Sequence, residues 1–203
     1  MKMQNFAAAA ILAATLSACV AGPRVSPVEI TRFHQTATVA QLGTGTVFIE
    51  SAPDDGVIAV DLSPYKSALA AELTELGYRE VARDDAQYIA QVSVDRYIAQ
   101  EERKQNPVSV GVGGSTGSYG SGLGLGIGLN LGGGQREMVG TDMAVRIRDA
   151  ASSDVLWEGR ASFAVSDNSS LSDSASNASA IADALFREFP GNNGETVEVR
   201  VAN

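Results

Sequence analysis

The 203-residue chain has one cysteine, one histidine and one tryptophan, and basic residues are scarce: 15 Lys and Arg stand against 24 Asp and Glu. A single cysteine excludes an intrachain disulfide, and with it the stapled class of small secreted domains. A single histidine, His34, cannot build a metal cluster unaided, and there is no second cysteine to help it. The formal charge of −9 argues against nucleic acid and against adhesion to anionic lipid through a basic patch. No cofactor or metal is expected, and His34 reads as a solvent-exposed or hydrogen-bonded residue at a strand end.

What the chain does have begins at its N-terminus. Lys2, the apolar run from Phe6 to Leu16 and the small pair Ser17-Ala18 are the three parts of a secretion signal. As a helix, a run of that length rises only about 16 Å, against roughly 30 Å of hydrocarbon, so it reads as a segment to be removed rather than a membrane span. Leu16-Ser17-Ala18-Cys19 resembles the bacterial lipobox, which implies cleavage between Ala18 and Cys19 and lipidation of Cys19. Each buried methylene contributes about 0.8 kcal/mol, so stable anchoring takes more than one acyl chain. Cleavage takes away Lys2 and no acidic residue, which moves the formal charge from −9 to −10. With Val20 rather than Asp after the cysteine, the lipobox resemblance implies an outer-membrane, periplasm-facing location. Residues 1–18 thus read as a signal peptide, 19–27 as a lipidated tether and 28–203 as one domain.

Within the domain, Val28–Phe33 and Thr46–Glu50 are β-rich, and Val57–Val60 follows the turn signal Pro53-Asp54-Asp55-Gly56. Ser63 as N-cap and Pro64 in the first turn open a helix that runs to Leu76 and stops at Gly77. Tyr65, Leu69, Leu73 and Leu76 share its core face. Tyr78–Ala82 reads as an extended link and Arg83–Asp85 as a turn. From Gln87 to Ala99 the alternation puts Tyr88, Ala90, Val92, Val94 and Ile98 on one face and Gln91, Ser93, Asp95 and Tyr97 on the wetter one, with Arg96 interrupting the apolar side. Val139, Thr141, Met143, Val145 and Ile147 alternate with Asp142, Arg146 and Arg148, and Val155, Trp157, Ala161, Phe163 and Val165 with Glu158, Arg160 and Ser162, so the two runs make a hairpin closed by Asp149–Asp154 with Trp157 expected in the core. A polar loop, Ser166–Ser176, leads to a second helix whose apolar stripe is Ala178, Ile181, Ala182, Leu185 and Phe189, ended by Pro190-Gly191. Thr196–Val201 closes the chain as a strand. The order predicts an α+β fold: an antiparallel or mixed sheet with two α-helices packed on one face and a glycine-rich insert between two strands.

That insert, within 108–134, holds 12 glycines in the 24 residues from Gly111 to Gly134. No Gly-x-Gly-x-x-Gly spacing and no P-loop lysine occur there, so a phosphate cradle is disfavoured. Two readings stay open. One is a flexible loop, since glycine loses the most entropy on ordering. The other is a long hairpin whose returning strand carries Leu123, Leu125, Ile127, Leu129 and Leu131 on one face and glycine on the other, a surface suited to another copy, a partner or lipid.

Catalytic patterns are weak. Asp54-Asp55, Asp84-Asp85 and Glu101-Glu102 are adjacent pairs, and nothing places two carboxylates across a common cleft. Any serine triad would need His34 as its base. Asp167–Asp173 is too sparse for a calcium loop. The expectation is a non-enzymatic binding or accessory module; a self-assembling module using the insert and a hydrolase with an unrecognised site are the alternatives. The membrane through the lipid, and an envelope protein or a second copy, are the expected partners.

Four stretches in order, Leu69–Tyr78, Ala86–Val94, Gly140–Trp157 and Ala182–Gly194, resemble the bacterial lipoprotein family called domain of unknown function 4136. They carry a helix ending Leu73-x-x-Leu76-Gly77-Tyr78, a strand after an acidic turn, a strand pair with Asp149 and Leu156-Trp157, and a last helix ending Phe189-Pro190-Gly191. The resemblance implies an α+β envelope lipoprotein with no assigned activity, and it supplies no catalytic residues.

Overall fold

The computed structural model describes residues 22–53, 60–99 and 137–202. Its strands are β1 (Val28–His34), β2 (Gly45–Ser51), β3 (Tyr78–Glu80), β4 (Tyr88–Ala99), β5 (Met138–Asp149), β6 (Val155–Ser166) and β7 (Thr196–Val199). The α-helices among the described residues are α1 (Ser63–Glu75) and α2 (Ser174–Phe186), with short 3-10 segments at Thr36–Gln41, Arg83–Asp85 and Ser170–Ser172. The seven strands form one mixed sheet in the order β3-β2-β4-β5-β6-β1-β7. Among the described strands the parallel pairs are β2–β3 and β2–β4, and α1 supplies the crossover that the β2–β3 pair requires. The architecture is α+β.

Strand alternation builds the core. Val28, Ile30, Ala90, Val92, Met143, Val145, Ile147, Trp157, Phe163 and Val165 are buried on the face where α1 contributes Tyr65, Leu69 and Leu73 and α2 contributes Ala178, Ile181 and Leu185. Trp157 is fully buried, stacked on Phe186 at 5.2 Å and tilted against Phe189 at 5.2 Å, and its Nε1–H donates to Pro190 O at 3.0 Å. Its role is packing, as large aromatics with a satisfied polar tip usually provide.

Several expectations change in detail. Tyr78–Glu80 is a strand rather than a link, because Gly77 at φ +106° ends α1 and turns the chain directly onto the edge of β2. Ser63 lies inside α1 and makes no capping bond; instead the Asp61 carboxylate accepts the Ser63 N–H at 2.9 Å. That bond holds Asp61 below the usual carboxylate range. The second helix starts at Ser174, with Asp173 accepting the N–H groups of Ala175 and Ser176, and it ends at Phe186. Phe189 therefore lies outside the helix. Pro190 disfavours helical backbone at residue 189, and the last carbonyls of α2 are already taken by Arg32. This 4 % exposed arginine donates from Nε to Leu185 O at 3.0 Å and from Nη2 to Ala184 O at 3.3 Å and Arg187 O at 2.6 Å. A cation among helix C-terminal carbonyls is favourable, and burial lowers its pKa, opposed by Glu188 and Glu195.

Val155 is 40 % exposed although it was expected on the face of Trp157, because the β5–β6 register shifts there: Ile147 faces Trp157 and Arg148 faces Val155, so Leu156 is the extra residue. Tyr88 is only half-buried, edge-on to Tyr78 at 6.0 Å. Ile98 is 63 % exposed rather than in the core. Arg96 stays on the helix side, donating to Ser174 Oγ at 2.9 Å and Ser172 O at 2.7 Å at the start of α2, so the apolar row of β4 ends at Val94. β7 ends at Val199, two residues short, with Val201 still packed on the core. The strand expected at Val57–Val60 falls largely outside the described residues.

Candidate functional site

The residues singled out from the sequence divide by location. Ala18 and Cys19 lie outside the described residues, and so do Leu123, Leu125, Ile127, Leu129 and Leu131 of the glycine-rich insert. His34 is the last residue of β1; its N–H donates to Asn193 Oδ1 at 3.0 Å and its Nε2 lies 3.3 Å from Gly191 O. It pins the loop after α2 to the sheet, a structural task. Asp84 and Asp85 sit in an exposed 3-10 turn. Ser115 stands in Gly113-Gly114-Ser115-Thr116-Gly117, the spacing of a nucleophile elbow, but that pattern has meaning only between a strand and a helix, and it lies outside the described residues. Among the described residues no group of three or more His, Cys, Asp and Glu is placed to hold a metal ion, and no helix is long and apolar enough to cross a membrane.

The arrangement that stands out is the sheet face opposite the helices. Its two halves differ in how charge is matched. On the β2 side, one row of neighbours runs Glu50, Gln91, Arg146, Glu158 across β2, β4, β5 and β6. Glu50 pairs with Arg83 and, at 3.4 Å, with Arg148, and accepts from Gln91 Nε2 at 2.9 Å. Glu158 pairs with Arg146 at 3.0 Å and Arg160 at 2.6 Å. Partial burial works to raise the Glu158 pKa, but the hydrogen bonds and charges of Arg160 and Arg146 outweigh it and hold the carboxyl below its ordinary range. These side chains cover the sheet: Ile89, opposite Phe48 and Arg148, is 3 % exposed although it points away from the helices.

On the β7 side the row is Glu198, Glu29, Ser162, Asp142, Asp95, crossing β7, β1, β6, β5 and β4. All five residues are exposed. Glu198 is directly opposite Glu29 and Asp142 directly opposite Asp95, and like charges so placed repel. Asp142 accepts from Ser162 Oγ at 2.5 Å and from Tyr97 OH at 3.4 Å. Tyr97, 45 % exposed, lies over β5: a Cβ on Gly140 would come within 2.5 Å of its ring, so only glycine admits it. Burial, then the Asp142 charge, pushes the Tyr97 phenol up. Because Ser93, Ala144 and Ser162 are small, the face here is hollow. A cavity of about 420 Å³ is lined by Glu29, Thr31, Ser93, Asp95, Asp142 and Arg160 among others, and one of about 290 Å³ by Tyr97, Glu29, Ser162 and Glu198 among others. Glu29 and Ser162 belong to both.

Comparison with known proteins places the sequence. The model for the family described as Domain of unknown function (DUF4136) matches residues 31–191. The chain belongs to the DUF4136 family. Among curated proteins none matches it. Among solved structures it is similar to a variant PelC dodecamer from Paraburkholderia phytofirmans (TM-score 0.42, 14% identity, covering 81% of this chain and 95% of that one). It is also similar to a PDZ domain protein from Parabacteroides distasonis (TM-score 0.46, 14% identity, 87% of this chain and 38% of that one). The DUF4136 match runs from β1 to the loop after α2, so the hollow's Asp95, Asp142 and Ser162 fall inside it, while Glu29 and Glu198 fall outside.

Sequence reasoning placed Asp95 and Asp142 on the wet side of their strands without bringing them together. The missing signal is the order of non-consecutive strands: nothing local says that β1 inserts between β6 and β7.

Proposed function

We propose that this DUF4136 chain is a cell-envelope lipoprotein, anchored through Cys19 at the outer membrane facing the periplasm, that acts as a non-enzymatic binding or accessory module through the bare half of its open sheet face. The binding half of this reading is carried by one observation: a hollow, exposed surface with mutually repelling carboxylates beside a half-face whose two glutamates, Glu50 and Glu158, are each paired with arginines. A surface optimised for stability alone would not oppose like charges twice in one row. The anchoring half is supported by Leu16-Ser17-Ala18-Cys19 and by the lone cysteine. Adjacent strands lie about 4.8 Å apart, so four carboxylates spread over five strands suit an extended partner better than a reaction centre.

Self-assembly is the second reading. The specific observation in its favour is that β3 and β7, at the two edges of the sheet, are each hydrogen-bonded to one neighbouring strand, and an open edge is a template for another chain. One experiment separates the two. A photo-crosslinking residue is placed at Ser93, in the hollow, and at Arg79, on the β3 edge, in the full chain expressed in its native membrane, with and without Gly111–Gly134. Crosslinks from Ser93 to one other envelope protein are expected. Crosslinks from Arg79 to a second copy, with none from Ser93, would replace the accessory module by a self-assembling one.

A further inference from the structure

We propose that the bare half of the open sheet face receives a basic, extended segment of a partner protein, lying across β4, β5, β6, β1 and β7 along the row Asp95, Asp142, Ser162, Glu29, Glu198. This rests on the reading of that face as the binding surface and adds the chemistry of what binds.

Charge selects the partner. In the matched half of the face each glutamate has at least two basic partners, whereas in this half Asp95, Glu29 and Glu198 have no arginine or lysine bonded to them among the described residues. Arg160, the one cation among the described residues that line the larger hollow, is drawn aside by Glu158, to which its Nε donates at 2.7 Å. The surface is thus electrostatically incomplete. A partner that brings positive charge relieves the Asp95–Asp142 and Glu29–Glu198 repulsions, and an anionic lipid surface or nucleic acid would add to them.

Shape selects an extended segment over a small cation. Five strands at about 4.8 Å spacing make a row roughly 19 Å long, which corresponds to about six residues of extended chain. The two cavities share Glu29 and Ser162 and so lie side by side along this row. Tyr97 is the apolar contact. Its ring lies against Gly140 with its hydroxyl 3.4 Å from Asp142, and it is 45 % exposed beside the acids. Lysine and arginine lay their methylene stems on such a ring while the charged head reaches a carboxylate.

The test uses the full lipidated chain in detergent micelles and a seven-residue peptide of alternating Lys and Thr, with two comparison peptides carrying Gln or Glu for Lys. The Lys peptide is expected to bind in calorimetry, the Gln and Glu peptides to bind at least tenfold more weakly, and binding to weaken steeply with salt. The double variant Glu29→Gln, Asp95→Asn should lose at least tenfold in affinity, whereas Glu50→Gln, in the matched half, should stay within twofold. Thermal unfolding of each variant shows that it is folded. Equal binding of the Gln peptide, or no loss in the double variant, overturns the proposal; spermidine competing as well as the peptide overturns the extended-segment claim. The membrane crosslinks from Ser93 keep the two readings apart. A captured partner whose crosslinked segment has no Lys or Arg leaves the accessory module standing and removes this proposal, and capture of no envelope protein from Ser93 removes the accessory module itself.

Discussion

The two faces of the sheet are made by the same alternating strands, yet they are stabilised differently. On the helix side, residues such as Val92, Val145 and Trp157 are fully buried and gain from loss of apolar contact with water. On the far side no element among the described residues covers the strands, and the side chains interact with one another: in one half Glu50 and Glu158 pair with four arginines, whereas in the other Asp95, Glu29 and Glu198 have no arginine or lysine bonded to them among the described residues. The contrast teaches where to look for function. A buried face is explained by folding, and a matched ion-pair network by solubility and register. Only the unmatched half is left without a folding role.

Four substitutions sharpen or break this contrast. The largest effect belongs to the helix side: Trp157→Ala removes the ring between β6 and the Phe186–Phe189 pair and should cost about 3–5 kcal/mol, as denaturant unfolding would show. Next is Arg32→Met, which keeps the stem but leaves the carbonyls of Ala184, Leu185 and Arg187 without their donor. A loss of about 1–3 kcal/mol is expected, and increased amide exchange at the C-terminal end of α2 would localise it.

On the matched half of the open face, Glu158→Gln should cost about 0.5–1 kcal/mol at neutral pH, the scale of partly exposed pairs. The folded pKa of Glu158 lies below its unfolded value. Its contribution is therefore present above the unfolded value of about 4.3 and lost as pH falls through the folded one. The wild type and the variant should converge in thermal stability in acid. Persistence of the gap at low pH would mean that packing, not charge, holds that half.

The smallest effect should have the opposite sign. Asp95→Asn removes one of two like charges placed directly opposite, so the melting temperature should rise slightly at low ionic strength and the gain should shrink in salt. A fall in melting temperature would show that Asp95 is matched after all and would erase the contrast between the halves.

Much of the fold was legible in the residue pattern. The period of two from Tyr88 to Val94 and from Val139 to Ile147, and the helical stripe of Tyr65, Leu69 and Leu73, mark the buried faces because burial is repeated at the spacing of each element. The failures sit where a distant residue intervenes. Arg32, on β1, takes the carbonyls at the end of α2 and so helps leave Phe189 outside the helix; Leu156 enters a register shift that turns Val155 outward. The candidate site was only half legible. Asp95 and Asp142 read as outward-facing, but their opposition to each other and their alignment with Glu29 and Glu198 did not.

The lipobox-like pattern Leu16-Ser17-Ala18-Cys19, the class of fold and the identity of the core follow from order along the chain, because short motifs, turns and amphipathic periods are local properties. The open face is different. Its acidic row draws on residues as far apart as Glu29 and Glu198, joined only when β1 pairs with both β6 and β7. Which charges meet, and which are left unmatched, is a matter of strand order and register. These are set by the packing of the whole sheet against α1 and α2, so no segment of the sequence carries them alone.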